Sequence, residues 1–232
     1  MYNRIVLKLS GETLAPADRK GYDEARVAAA AKMLMDVQAK GVQLIVIMGG
    51  GNLWRGRFGD YMNPVNADQM GMLATIMNAL CAADAIEGMG GKAKVFTAQE
   101  MNRFADLYTR EHAIKALEEG YIVFIAGGSG NPFFTTDTAA ALRAAELNAD
   151  VVFKGTNVKG IYDRDPSLPG AQLLKELTYD EAIDKGLQVM DTTAFVLCKT
   201  RHVPAIRVFN MDKLENILAA VNGEDIGTVA HE

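Results

Sequence analysis

Cysteine and histidine are scarce in this chain, with two of the first and three of the second. Cys81 and Cys198 both fall in apolar stretches that read as helical, so they read as core thiols rather than as a disulfide, and the chain reads as cytoplasmic. The histidines are scattered, with no HExxH or CxxC spacing, and no protein-held metal site follows from them. Positive charge is in deficit: 24 Lys and Arg stand against 29 Asp and Glu, a net charge of −5. Phosphate-backbone affinity needs clustered cations, so a general nucleic-acid binder is excluded, while a local cationic pocket for a small anion is not. No apolar run approaches the roughly 20 residues that span a bilayer, so no membrane partner is expected. The stretch "MYNRIVLKLSG" is too short and too alternating for a signal peptide. Two nucleotide fingerprints are also missing. Trp54 stands where the last glycine of GxGxxG would be, and Arg57-Phe58 follows Gly51 to Gly56 where a Walker A motif needs Lys-Ser or Lys-Thr. No Ser-His-Asp or Cys-His arrangement is suggested, which leaves chemistry that needs no strong base.

What is present reads as a packed α/β globule. Apolar residues make up 49% and charged residues 23% of 232, enough for one large domain or two small lobes. "RIVLKL" (4–9), "VQLIVIM" (42–48), "AKVFTA" (93–98), "YIVFIA" (121–126), "VVFK" (151–154) and "PAIRVFN" (204–210) read as strands. Helical spacing covers Val27, Ala30, Leu34 and Val37, then about 67–87, 110–120 and about 137–148. The alternation of the two predicts parallel strands joined by helical crossovers, with helices on both faces. Ligands in such sheets sit outside the carboxyl ends of the strands. Ser10-Gly11, Gly49 to Asn52 and Gly127 to Asn131 all follow strands, so these loops converge on one edge.

Four constellations carry chemistry. "GGGN" (49–52) lets backbone N–H groups approach a phosphate, although a strand-to-helix turn needs glycines for geometry alone. Arg55 could clamp an anion beside it or be a solvated surface charge. In "SGNPFFTTD" (129–137), Thr135, Thr136 and Asp137 suit a helix N-cap, and the same helix start attracts phosphate. One staple residue would serve a cap, whereas Phe133 and Phe134 together suggest a wall for a flat ring, with Ser129 and Asn131 offering hydrogen bonds to its edges. Lys8 and Lys154 each interrupt an apolar strand near its exit. They are either edge lysines with the ammonium in water, or a pair around a transferring phosphoryl group. In "YDRDP" (162–166), an Asx-type turn before proline competes with a reading that puts Tyr162 on an adenine and Asp165 on its ribose or cations.

The strings "KLSGE" (8–12), "GGGNLWRG" (49–56), "ADQMGMLATIMNAL" (67–80), "GNPFFTTDTAAALRAAE" (130–146) and "RVFNM" (207–211) resemble the bacterial uridylate kinase family of the amino-acid kinase superfamily, from Ile5 to about Thr228. The resemblance implies a three-layer α/β/α sandwich around a mainly parallel sheet of about eight strands. It implies a single domain over 1–232, with an acceptor-side lobe to about residue 150 and an ATP-side lobe beyond it. The implied reaction moves the γ-phosphoryl of MgATP to UMP, giving UDP and ADP. By motif, Lys8, Leu9, Ser10, Gly11, Gly51, Arg55, Thr156, Asn157, Tyr162 and Asp165 match ATP contacts. Gly50, Asp68, Ser129, Gly130, Asn131, Pro132, Phe133, Phe134, Thr135 and Thr136 match UMP contacts, with Asp68 on the ribose. Lys8, Lys154 and Arg55 match the catalytic cations, and Asp137 and Asp191 the acids that orient the lysines. The resemblance further implies Mg²⁺ carried with ATP, GTP and UTP as effectors, and a homohexamer, for which the methionine-rich helix 70–80 offers a seam or simply a core helix. The chain departs from the family at Ser129, usually Thr; at Gly155 and Lys159, usually Ala and Asp; and at Gln99, usually a small aliphatic.

Overall fold

The computed structural model describes residues 2–55, 62–187 and 189–232. Gly56, which closes the string "GGGNLWRG", and Arg57-Phe58 lie outside the described residues. Among those described, the strands are β1 (Arg4–Leu9), β2 (Gln43–Met48), β3 (Ala93–Thr97), β4 (Asp106–Leu107), β5 (Ile122–Ala126), β6 (Val151–Thr156), β7 (Glu176–Thr178), β8 (Ala205–Asn210) and β9 (Thr228–His231). The α-helices are α1 (Glu24–Gln38), α2 (Pro64–Gly88), α3 (Arg110–Glu118), α4 (Thr136–Leu147), α5 (Tyr179–Asp184), α6 (Thr192–Thr200) and α7 (Glu215–Val221), and a 3₁₀ turn covers Gly11–Leu14.

The nine described strands form one sheet in the order β4-β3-β5-β2-β1-β6-β8-β9-β7. The pairs from β4 to β8 are parallel, β8 and β9 are antiparallel, and β7 and β9 are parallel. Strand alternation divides the core. Ile5, Leu7 and Leu9 of β1 face one way with Phe153, against Leu34 of α1, Ile76 of α2 and Ile217 of α7. Val6 and Val152 face the other way, against Ala113 of α3, Ala140 of α4 and Phe195 of α6. The result is the expected three-layer α/β/α sandwich, one strand wider than the resemblance implied.

The structure corrects the sequence reading in several places. A strand not read from the sequence, β9, follows the one at 204–210 and returns antiparallel. β1 lies in the middle of the sheet, so Lys8 is not an edge lysine. Helix α2 begins three residues early, because Asn63 accepts from the N–H of Val65 and Pro64 takes the first turn, where its missing donor costs nothing. At 25 residues this helix is also long and apolar enough to cross a bilayer by length and composition. Its Ala74, Ile76, Ala79, Ala82 and Ile86 are nevertheless buried in the sheet-facing core. Cys198 is buried, and burial pushes its thiol up to about 12; Cys81 is only half-buried.

Gly227 admits β9 to the sheet. Its φ is 72°, and a methyl group there would overlap the Val208 carbonyl and reach within 2.9 Å of Phe209 Cβ. Gly227→Ala is expected to cost about 2 kcal/mol or more through strain and overpacking. Urea unfolding would show it as a lower midpoint, and an unchanged midpoint would refute the constraint.

Candidate active site

Parallel register builds the centre of the site. Lys8 of β1 is paired directly with Lys154 of β6, and both share the sheet face of Val6 and Val152. Two ammonium groups side by side in a buried layer repel each other and lose water. Asp137, in the first turn of α4, lies between them. Its Oδ1 is 2.9 Å from Lys8 Nζ, and its Oδ2 accepts from Lys154 Nζ. Asp137 is buried, and burial alone would raise its carboxyl; the charges of Lys8 and Lys154 outweigh this and hold it below the ordinary carboxylate range. Burial pulls the Lys154 ammonium below its ordinary value, with Lys8 adding to the effect and Asp137 opposing it. The cluster carries one net positive charge and faces the strand exits.

Thr135 caps α4, accepting from the N–H groups of Asp137 and Thr138. Asp191, expected beside the lysines, instead accepts from the hydroxyls of Thr135 and Thr138 and from the Ala194 N–H, which caps α6. It forms no ion pair with either lysine and acts on Lys154 through its field. Asp191 thus pins the starts of two helices together.

The polar loops do converge on one edge. A cleft of about 500 Å³ is lined by Lys8, Ser10, Arg55, Lys154, Thr156 and Asn157, and Arg19 and Arg26 add two further cations to its wall. Thr156 and Asn157 continue into a second cleft of about 590 Å³, lined also by Tyr162, Asp165, Lys185 and Leu187. Leu9 is buried in the core, and the Gly49 N–H donates to its carbonyl at 2.8 Å. Arg55 Nε donates to the Gly51 carbonyl at 3.2 Å, and its guanidinium pairs with Glu12, which also meets Arg19 at 3.5 Å. Glu12 stood in the "KLSGE" string without a role; only proximity across 43 residues reveals it. Asp165 accepts from Ser167 Oγ and N–H, which hold its carboxyl below the usual range. Its side chain therefore makes the Asx-type turn, while it still lines the outer cleft.

The loop from Ser129 to Thr136 follows β5 and leads into α4. Gly130 (φ 88°) and Phe133 (φ 71°) are both left-handed, a strained state for a bulky residue. The Phe133 N–H donates to Asp68 Oδ2 at 2.7 Å, so Asp68 of α2 reaches the loop itself. Phe133 and Phe134 are 71% and 50% exposed on the rim, with Pro132 half-buried and Asn131 exposed beside them. Ser129 Oγ accepts from the Asn131 N–H at 3.2 Å. Gln99 Nε2 donates to the Gly130 carbonyl at 2.5 Å. Gly50 packs against α2, where a methyl would fall 2.8 Å from Ala74 Cβ.

Asp137→Asn leaves the buried Lys154 ammonium and the half-buried Lys8 ammonium without their counter-charge, a loss of about 3–5 kcal/mol at neutral pH. The folded carboxyl lies below its unfolded value of 3.8, so the stabilisation is complete above that value and fades as pH falls through the lower folded value. Melting temperatures of wild type and variant should therefore differ most near neutrality and converge below pH 3.8. A constant gap across that range would refute the charge role.

The sequence profile of the Amino acid kinase family matches residues 3–210. A uridylate kinase of Bacteroides thetaiotaomicron is 46% identical over 233 aligned residues, covering 99% of this chain and 98% of that protein. The crystal structure of UMP kinase from Bacillus anthracis superposes with a TM-score of 0.93 at 31% identity, covering 99% of this chain and 96% of the other. The crystal structure of UMP kinase from Ureaplasma parvum gives 0.93 at 32%, with both chains fully covered. The parallel sheet, the glycine exits and these matches lead to one conclusion: the chain belongs to the amino acid kinase family and, within it, to the uridylate kinases.

Proposed function

We propose that this protein transfers the γ-phosphoryl group of MgATP to UMP, giving UDP and ADP, with the following division of labour. The observation that carries the reading is the pair Lys8 and Lys154, converging on Asp137 at the foot of the acceptor loop. An acceptor phosphate needs no strong base, because its second pKa is about 6 and its oxygen is already anionic. Catalysis then rests on alignment and on cations that neutralise charge spreading over the moving group. Lys8 and Lys154 supply those cations, and Asp137 keeps both aimed at the strand exits. Arg55 leaves Glu12 for the phosphates when nucleotide enters.

The acceptor side is the loop Ser129 to Thr136 with Gly50 and Asp68. The start of α4 turns the positive end of its dipole and the Thr136 N–H toward the acceptor phosphate, and the exposed Phe133 and Phe134 frame the uracil. The donor side is the pair of clefts, with Ser10, Gly11 and Gly51 near the triphosphate and Thr156, Asn157, Tyr162 and Asp165 around the adenosine. On this reading Mg²⁺ enters as part of the MgATP substrate. The stretch to about residue 150 then forms the acceptor-side lobe and also lends Ser10, Gly11 and Gly51 to the triphosphate, and the rest forms the ATP-side lobe. The exposed Met70, Leu73 and Met77 of α2 form a seam between copies of the chain.

Incubation with ATP and Mg²⁺ and either UMP, CMP or N-acetylglutamate should yield ADP with UMP by a wide margin. Product from N-acetylglutamate alone would overturn the assignment. Lys8→Ala should lower kcat by about 10²–10³-fold, the scale of a lost transition-state contact, while the KM for UMP moves far less. Equal losses in both would remove Lys8 from the transition state.

A further inference from the structure

One stripe of α2 meets the three glycine-bearing loops that follow β1, β2 and β5. Asp68, Gly71, Thr75 and Asn78 are spaced three, four and three apart, so they share one helix face. Asp68 accepts from the Phe133 N–H. The Gly71 carbonyl lies beneath Gly50, 2.9 Å from where a methyl would project. Thr75 Oγ1 accepts from the buried Gly127 N–H at 2.9 Å and donates to the Met72 carbonyl at 2.7 Å. Asn78 Nδ2 donates to the Gly49 carbonyl and to Asn52 Oδ1, both at 2.7 Å. Asn52 Nδ2 in turn donates to Asn78 Oδ1 at 3.2 Å and to the Gly21 carbonyl at 3.0 Å. Gly11 packs on this amide pair with no room for a methyl.

Thr75, Asn52 and Asn78 are all buried. Polar groups in such a place cost stability unless bonded, and valine and leucine would pack the same positions without that demand. What valine and leucine could not do is fix the exits of β1, β2 and β5 in register with one rigid rod. Gly127 (φ 81°) is the hinge from β5 into the acceptor loop, and Gly49 is the hinge from β2 into the turn shared by both substrates. A displacement of about 1 Å at such a hinge can cost on the order of 10²-fold in rate.

We propose that Thr75 and Asn78 are positioning residues for phosphoryl transfer. Thr75 sets the acceptor loop and Asn78 sets the glycine turns, so that the acceptor oxygen and the γ-phosphorus meet in line. This rests on the UMP kinase reading above. It assigns work to residues that touch neither substrate.

Thr75→Val keeps the shape and removes the hydroxyl, leaving the Gly127 N–H without its partner; Thr75→Ser keeps the hydroxyl and loses a methyl. Steady-state kinetics with UMP and ATP varied separately, alongside melting temperatures, decide the matter. Thr75→Val should lower kcat/KM for UMP by about tenfold or more with the KM for ATP unchanged. Thr75→Ser should restore that activity even though its melting temperature stays below wild type. Asn78→Asp turns an acceptor toward the Gly49 carbonyl and should raise the KM for both substrates; an unchanged KM for ATP overturns its half of the proposal. Wild-type kinetics in Thr75→Val overturn the acceptor half. So do losses that follow melting temperature for both substrates without rescue by serine. Absence of UMP turnover in the wild type would instead refute the reading on which the inference stands.

Discussion

Two lysines held side by side over one aspartate impose the central constraint on this fold. Adjacent parallel strands bring Lys8 and Lys154 into direct register, 146 residues apart in the chain. The Lys154 ammonium is buried and the Lys8 ammonium is only partly wetted, so the layer needs a carboxylate between them. Asp137 supplies it from the first turn of α4, where a negative charge also suits the helix dipole. The position of α4 is thereby fixed, and with it the loop that precedes it. One carboxylate cannot neutralise two ammonium groups, and the residual positive charge opens toward the strand exits. An anion that entered there would complete the charge balance, which is the physical reason for proposing that a phosphate binds at this gap.

Topology places this charge where a ligand can reach it. From β1 the sheet extends one way through β2, β5 and β3, and the other way through β6 and β8. The order reverses between β1 and β6, and in open parallel sheets the crevice forms outside the strand ends at such a reversal. Lys8 and Lys154 stand on either side of it. The donor clefts run from this point over β6, and the acceptor loop approaches from β5 on the other side. On the reading proposed above, the two substrates would meet over the aspartate because each half of the sheet brings one loop to the same gap.

The central strands were legible because burial on both faces demands apolar runs, which β2 and β5 carry unbroken and β1 and β6 carry up to Lys8 and Lys154. The edges were not. β4, β7 and β9 span two, three and four residues, and their pairing depends on neighbours far away in sequence. The short helices α5 and α7 bury only a few residues each, too few for a periodic signal. In the site, lysines, glycines and the threonine cap could be read locally, since each sits at a strand exit or a helix start. The partners could not. Glu12 on Arg55, Asp191 on Thr135 and Asp68 on Phe133 are contacts across 43, 56 and 65 residues. Asp165 shows the reverse case, where the local Asx reading described its hydrogen bonds.

The two phenylalanines of the acceptor loop stand apart from ordinary packing. Phe133 adopts a left-handed backbone that costs on the order of 1–3 kcal/mol for such a residue and persists only where its surroundings over-determine it. Those surroundings are identifiable: Asp68 holds its N–H, Gln99 holds the Gly130 carbonyl, Pro132 precedes it, and the Thr135 cap follows. Strain is thus imposed in order to turn an aromatic side chain outward, against the hydrophobic effect. A loop that only capped a helix would relax and bury the ring. On the proposed reading the loop offers a flat apolar wall to an entering base, and such a wall has to stand open before the base arrives. The rigid α2 beneath it makes that posture tolerable, since the helix that carries Asp68 is itself anchored by Thr75 and Asn78 to the sheet.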